Sequence, residues 1–116
     1  MQKEDFRIGN LVLDEDGKVL PILSIGKDDI VYHTEHIFSA IFTLRGVPLT
    51  REWFIKLGFE IQDDTPFYKS VARRNGFNLF FDKGVWNYSI GERRIVVEYI
   101  HQLQNLFFTI FAEEIN

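Results

Sequence analysis

Apolar residues near the end of this chain recur with the period of an α-helix. Leu103, Leu106, Phe107, Ile110 and Phe111 occupy positions i, i+3, i+4, i+7 and i+8. This spacing places all five on one side of a helix and predicts an amphipathic element. We expect the helix to pack across the four-strand sheet that precedes it in the chain, because a single apolar face needs a partner to bury it.

Upstream of that helix, apolar residues alternate with polar ones, as they do in strands that bury one face. Four strands are predicted, at about residues 67–72, 77–81, 85–90 and 95–100. Pairs such as Asn75-Gly76 and Gly91-Glu92 are typical of tight turns and separate the strands. The pattern therefore predicts an antiparallel four-strand meander.

The first third of the chain predicts another strand meander. Short apolar segments at 11–13, 18–25 and 30–32 are separated by turn signals, the first of which is Asp14-Glu15-Asp16-Gly17. This meander resembles an SH3-like barrel in topology alone. Pro21 has no N–H to donate, so the second strand should lie at a sheet edge or contain a bulge.

The middle of the chain contains one clear helix signal. Residues 33–47 fit either a short helix or an irregular strand that enters a loop. Thr50 can cap a helix that ends at Leu57, and Gly58 can take the left-handed conformation that follows. No Gly/Ser/Pro-rich linker divides the sequence, so we expect a single α+β domain over residues 1–116.

Composition agrees with a folded globular protein. Apolar residues make up 46% of the 116 residues and aromatic residues 16%. The absence of cysteine excludes disulfides, thiolate metal sites and a cysteine nucleophile. The first ten residues lack the apolar segment of a secretory signal, and no apolar segment approaches the roughly 20 residues of a membrane span. We expect a cytoplasmic protein with no membrane partner.

The distribution of charge narrows the choice of ligand. The net charge of -4 disfavours general nucleic-acid binding, because it repels polyphosphate. Residues 1–64 contain seven basic and twelve acidic side chains, whereas residues 65–116 contain six and five. Any anion-binding site should therefore lie in the second half.

Three segments of the chain resemble those of a known group of proteins: FRIGNLV, PLTREWFIKLGFE and VEYIHQLQNLFFTIFAEEI. Together they are similar to uncharacterised short proteins of Bacteroides-type gut bacteria and of their prophages and mobile elements. The stretch HQLQNL is the most specific part, whereas Phe111-Ala112 departs from the group, which often has a small residue and Gly before the acidic pair. The resemblance implies a genomic setting and no catalytic residue.

Motifs that could carry catalysis or metal binding are incomplete. The pair His33 and His36 could bind a metal if both lay on a helix, but His101 is the only further histidine, and a polar turn is the favoured interpretation. The acidic turn at residues 14–17 lacks the outer ligands of a calcium loop. We expect no metal, no cofactor and no catalytic residue.

The polar cluster at the start of the last helix has two interpretations. It could bind a partner or an RNA base. We favour a structural role, in which His101 or Gln102 satisfies the amides of the first turn while Gln104 and Asn105 face solvent.

The one specific site prediction concerns arginine. Arg73 and Arg74 belong to the first predicted turn of the meander, and Arg93 and Arg94 to the third. Alternate turns of an antiparallel meander lie at the same end, so the four guanidinium groups should gather at one edge as an anion-binding or partner-binding site. The structural alternative is that these side chains are solvated or paired with acids.

These observations favour a non-enzymatic protein-binding or adaptor protein of a prophage or mobile element. It would bind a protein partner, or a second copy of itself, through the arginine edge or an exposed apolar patch. The first alternative is a nucleic-acid-binding accessory factor that uses the arginine-rich edge. The second is an enzyme with a histidine and carboxylate site.

Overall fold

The computed structural model describes residues 5–115, and residues 1–4 and 116 of the predicted domain lie outside them. The described residues form antiparallel sheets and two α-helices, which confirms the predicted α+β class. They divide into two compact units, one formed by residues 5–47 with 99–115 and the other by residues 48–98. The single-domain organisation stays a prediction.

The first unit contains two three-stranded antiparallel sheets. In one, β1 (Leu11–Leu13) lies between β2 (Val19–Pro21) and β6 (Arg45–Gly46). In the other, β4 (Ile30–Tyr32) lies between β3 (Ser24–Ile25) and β5 (Phe38–Ala40). Pro21 thus ends an edge strand, which confirms the expectation drawn from its missing N–H.

Residues 33–47, which the sequence leaves open, contain β5 and β6 with a 3-10 turn between them at Ile41–Thr43. Ile41 of this turn is buried in the core of the unit, whereas the neighbouring Phe42 is 78% exposed. The core also contains five other apolar residues from several segments of the unit: Phe6, Val12, Ile22, Val31 and Leu44.

The C-terminal amphipathic helix is present as α2 (Ile100–Phe111). Its side chains Ile100, Leu103 and Phe107 are buried. Within its unit the helix packs against β1, whereas its packing across the four-strand meander stays a prediction. No helix within residues 5–115 is long and apolar enough to cross a membrane.

A fully buried glutamine joins α2 to the segment before β1. The Oε1 of Gln104 accepts a hydrogen bond from the amide of Leu11 at 2.8 Å. Its Nε2 donates to the carbonyl of Gly9 at 3.2 Å and to that of Ile115 at 2.9 Å. The prediction that Gln104 faces solvent is therefore wrong, because three backbone groups from two segments, residues 9–11 and Ile115, converge on this side chain.

Asn105 extends the same contact. Its Oδ1 accepts from Nδ2 of Asn10 at 2.8 Å, so the prediction that it faces solvent is also wrong. Gln102 has the predicted structural role: its Oε1 accepts from the amide of Tyr99 at 3.2 Å. Gln102 thus satisfies an amide at the start of the helix, whereas Gln104 and Asn105 join the helix to the segment that contains Asn10 and Leu11.

The second unit contains a five-stranded antiparallel meander and a short helix, α1 (Arg51–Lys56). In both chain and sheet order the strands are β7 (Glu60–Asp63), β8 (Ser70–Arg74), β9 (Phe77–Asp82), β10 (Val85–Ile90) and β11 (Arg93–Val97). The prediction of four strands misses β7, and the strands predicted at 67–72 and 95–100 are displaced. The strand predicted from residue 67 begins later, because hydrogen bonds between Thr65 and Tyr68 close a turn there. The strand predicted to end at residue 100 ends earlier, because α2 begins at Ile100.

Aromatic side chains form the core of this unit. The Oγ1 of Thr50 accepts from the amide of Trp53, which confirms the predicted cap of α1. Phe54 of this helix is fully buried, with its ring centre 4.6 Å from that of Trp86 and 5.2 Å from that of Phe59. The helix therefore covers the sheet face on which Trp86 lies.

Candidate functional site

The four arginines of the predicted site lie at one end of the sheet in the second unit. Arg73 and Arg74 end β8, and Arg93 and Arg94 begin β11. Their placement in turns is wrong, because strand pairing continues up to these residues on each side of the two-residue turns. Since β9 and β10 lie between β8 and β11, three strand spacings, about 14 Å, separate the two pairs.

The alternation of side chains divides the four arginines between the two faces of the sheet. Adjacent residues of a strand point to opposite faces, so neither pair can share one. The register places Arg73 and Arg94 on one face and Arg74 and Arg93 on the other. The structure therefore places two arginines on each face, about 14 Å apart, instead of four on one rim. Their role in binding stays a prediction.

Arg73 and Arg94 share their face with aromatic side chains. The guanidinium of Arg94 lies 5.1 Å from the ring centre of Phe80 and donates to Asp82 at 2.8 Å. The opposite side of this cluster is Tyr68, whose ring stacks on Phe80 at 4.3 Å. A shallow cleft of about 390 Å³ opens here. We call this surface the arginine–aromatic face, formed by Phe67, Tyr68, Arg73, Phe80 and Arg94.

The histidine pair of the first unit has a structural role. The ring of His33 is buried, with Nδ1 2.8 Å from the carbonyl oxygen of Pro21 and Nε2 2.9 Å from Oγ of Ser39. His36 is exposed in a turn closed by Thr34, whose Oγ1 accepts from the His36 amide. The polar-turn interpretation is confirmed. Among residues 5–115 no group of three His, Asp or Glu side chains could hold a metal ion.

His101 lies inside the first unit against two aromatic rings. Its ring centre is 5.2 Å from that of Phe6 and 5.8 Å from that of Tyr99. Nδ1 is buried without a hydrogen-bond partner. Burial lowers the pKa of His101 below its usual 6.5, and the carboxylate of Asp5 opposes this effect only in part. The neutral imidazole is therefore the form that the fold stabilises.

We expect His101 to make the fold less stable in mild acid. Because its pKa is lower in the folded chain, the unfolded chain takes up the proton first, and stability falls as pH drops below about 6.5. The slope for one proton is at most about 1.4 kcal/mol per pH unit. Urea unfolding between pH 7.5 and 5.5 measures it. His101→Phe should flatten the slope, whereas His36→Gln, at an exposed position, should leave it unchanged.

A second cleft, of about 440 Å³, lies in the first unit. Residues 14–16 form one wall, and residues 37–40, 42 and 43 form the other. Phe38 and Phe42 are 62% and 78% exposed. Leaving such a side chain in water forgoes roughly 1.5–3 kcal/mol of burial. We call this surface the acidic cleft.

Residues 14–16, which we call the acidic wall of this cleft, contain three carboxylates that differ in their contacts. Asp14 closes the turn, since its Oδ1 accepts from the amide of Asp16 at 3.0 Å and from that of Lys18 at 2.8 Å. The side chains of Glu15 and Asp16 are exposed and form no ion pair within the part of the chain that the structure describes. Negative charge therefore stands beside exposed aromatic rings.

Sequence reasoning missed the wall of the acidic cleft that contains Phe38 and Phe42, which we call the aromatic wall. This wall falls within residues 33–47, where the apolar residues have no regular period. The available signal is the repeated Ile-Phe pair, Ile37-Phe38 and Ile41-Phe42. In the second pair a 3-10 turn buries Ile41 and leaves Phe42 outside. A doubled aromatic opposite an acidic hairpin turn could have indicated an interaction surface.

Comparisons with protein-family models, with curated proteins and with solved structures give no match. The described residues define an α+β protein with antiparallel sheets, on which the two clefts described above are the candidate sites. Its function has to be inferred from the chemistry of those clefts.

Proposed function

We propose that this chain is a non-enzymatic protein-binding module that docks a cationic, apolar segment of a partner protein in the acidic cleft. The observation that carries the proposal is the position of Phe38 and Phe42, both largely exposed, beside the unpaired carboxylates of Glu15 and Asp16. Aromatic rings supply contact area and carboxylates select a basic partner.

Rigidity of the two walls supports this choice. The acidic turn is held by the two hydrogen bonds to Asp14, and the 3-10 turn by that from Oγ1 of Thr43 to the carbonyl of Ala40, at 2.7 Å. A site held in this way loses little conformational entropy when a ligand binds. The cleft volume of about 440 Å³ accommodates one or two side chains of a peptide.

The setting belongs to the same proposal. The resemblance of the segments FRIGNLV and HQLQNL to proteins of prophages and mobile elements supports a setting in which an adaptor in the cytoplasm would bind host or element proteins. The order of the first unit, a strand meander that ends in a 3-10 turn and a strand paired with β1, supports an SH3-like arrangement of this binding surface.

Selection from a phage library of random dodecapeptides tests the proposal. We expect enrichment of sequences in which Lys or Arg stands within a few residues of an aromatic or large aliphatic residue, because these match the two walls. For a synthetic copy of a selected peptide, Phe42→Ser should raise Kd by about tenfold or more. Asp16→Asn should raise it less and reduce its dependence on salt.

A matched control variant is Phe67→Ser, which removes an equally exposed phenylalanine from the second unit. It should leave peptide binding unchanged. Absence of any enriched sequence, or equal binding by the Phe42→Ser variant, would contradict docking in the acidic cleft.

A further inference from the structure

Phe67 is the most exposed large apolar side chain among the described residues, at 86%. The turn that presents it is held rigidly. The amide of Thr65 donates to the carbonyl of Tyr68 at 3.1 Å, its Oγ1 donates to the same carbonyl at 2.7 Å, and the amide of Tyr68 donates back to Oγ1 at 3.0 Å. A fixed phenylalanine that projects into water costs little to bury against a partner.

Two exposed cations lie near Phe67, whereas exposed acids line the acidic cleft. These cations are Lys69 and Arg73. Arg73 lines, together with Phe67, the cleft of the arginine–aromatic face. Of the nearby acids, Asp63 is held by Arg51 and Ser70, whereas Asp64 is exposed. Glu60 is also exposed and lies opposite Arg73 in the register, and Arg73 donates to Oε1 of Gln62 at 3.1 Å.

The two units repeat this contrast in their formal charge. The described residues of the first unit contain four Lys or Arg against nine Asp or Glu, a net of -5. Those of the second contain eight against seven, a net of +1. Opposite net charges favour contact between unlike units of two molecules and disfavour contact between two first units.

We infer that the partner of the acidic cleft is a second copy of this chain, which inserts Phe67 between the walls of the cleft and brings Lys69 and Arg73 towards Glu15 and Asp16. This inference rests on the proposed function, since it names the occupant of the same cleft. The two contacting surfaces differ, so the contact is heterologous and leaves one free cleft and one free Phe67 turn on every dimer. Further copies can then add at both ends.

The association should be weak and sensitive to salt. A single side chain in one cleft buries less than the roughly 1,200–2,000 Å² of a stable protein interface. The cationic contribution acts between exposed charges and is screened over about 10 Å at 0.1 M salt. We therefore expect assembly at high protein concentration and low ionic strength.

Sedimentation velocity with two complementary variants tests the inference. The cleft variant is Asp16→Lys with Phe42→Ser, and the turn variant is Phe67→Ser with Arg73→Glu; all four positions are exposed, so both variants should melt with the wild type. For the wild type, the weight-average sedimentation coefficient should rise with concentration and fall back with added salt. Each variant alone should remain monomeric, with an association constant at least about tenfold lower.

The equimolar mixture of the two variants decides the geometry. The cleft variant retains the Phe67 turn and the turn variant retains the cleft, so the mixture should form a one-to-one dimer that grows no further. A mixture that stays monomeric while the wild type associates would mean a different interface and overturn the inference.

Two other outcomes also overturn it. A wild-type chain that is monomeric at all concentrations would exclude the second copy as occupant while leaving the dodecapeptide result, and with it the proposed function, intact. Binding of a labelled 20-nucleotide single-stranded DNA or RNA that Arg73→Glu abolishes and that displaces self-association would assign the arginine–aromatic face to nucleic acid instead.

Discussion

Replacing Gln104 with methionine should destabilise the fold by at least about 3 kcal/mol, since three backbone groups lose their partner and each costs about 1–3 kcal/mol when it is buried. Methionine has the same chain length and keeps the volume filled, but it cannot accept from the amide of Leu11 or donate to the carbonyls of Gly9 and Ile115. The free energy of unfolding in urea, followed by circular dichroism, measures the loss. A loss of this size is a large part of the stability of an ordinary domain.

Gln102→Met is the matched control on the same helix. Gln102 is exposed and caps the helix through the amide of Tyr99, so its replacement should cost only about 1 kcal/mol. Gln104→Glu separates donor from acceptor, because a carboxylate keeps the bond from Leu11 and repels the two carbonyls. It should destabilise the fold at neutral pH and less so in acid. Equal stability of the Gln104→Met and Gln102→Met variants would show that the buried bonds contribute nothing.

The helix containing Gln104 was predictable, but the role of this side chain was not. A period of 3.6 residues predicts which apolar positions face a core, and Leu103 and Phe107 are buried as expected. Ile110 and Phe111 belong to the same predicted face but are 39% and 38% exposed at the end of the helix. A glutamine beside that face looks like a solvent-exposed residue unless the position of the facing backbone is known. The amides and carbonyls near Gly9 and Leu11 lie almost the whole chain away in sequence, and no local pattern indicates that they meet Gln104.

Strands that local sequence patterns mark were predicted correctly, whereas a strand that only its pairing partner identifies was missed. Asn75-Gly76 adopts positive φ at both residues, as the tight turn between β8 and β9 requires, so local chemistry predicts this hairpin correctly. β7 was missed because its residues, EIQD, are mostly polar, and only pairing with β8 identifies them as a strand. Residues 33–47 have no regular period at all, which is why the aromatic wall of the acidic cleft was not predicted.

The arginine prediction was half right for a reason that the sequence contains. Reversal of the chain at each turn brings Arg73 and Arg94 to the same end of the sheet, as expected. The alternation that identifies the strands also sends the neighbouring Arg74 and Arg93 to the other face. Applying the period of two to the charged residues as well as to the apolar ones would have predicted two pairs instead of one cluster.

Replacing Gly46 with alanine should destabilise the first unit at the upper end of the range for overpacked sites, about 1–3 kcal/mol. Gly46 lies in β6, paired with Val12. A Cβ added there would stand 2.5 Å from Cγ of Tyr99, 2.6 Å from Cδ1 and 2.9 Å from Cβ. Since Cβ and Cγ lie close to the backbone, rotation of the ring cannot relieve the clash, and the start of α2 has to move. Thermal and urea unfolding measure the effect.

Gly26→Ala is the control, because Gly26 also lacks a positive φ and its added Cβ would make ordinary contacts, 3.4 Å from the ring edge of Tyr32 and 3.6 Å from the carbonyl oxygen of Ile30. That variant should unfold with the wild type to within a few tenths of a kcal/mol. Combining Gly46→Ala with Tyr99→Ala removes two of the three close atoms, Cγ and Cδ1. The double variant should therefore lose less free energy of unfolding than the sum of the losses of the two single variants. Strict additivity, or a Gly46→Ala variant as stable as Gly26→Ala, would mean that α2 does not begin against β6 as closely as the structure has it.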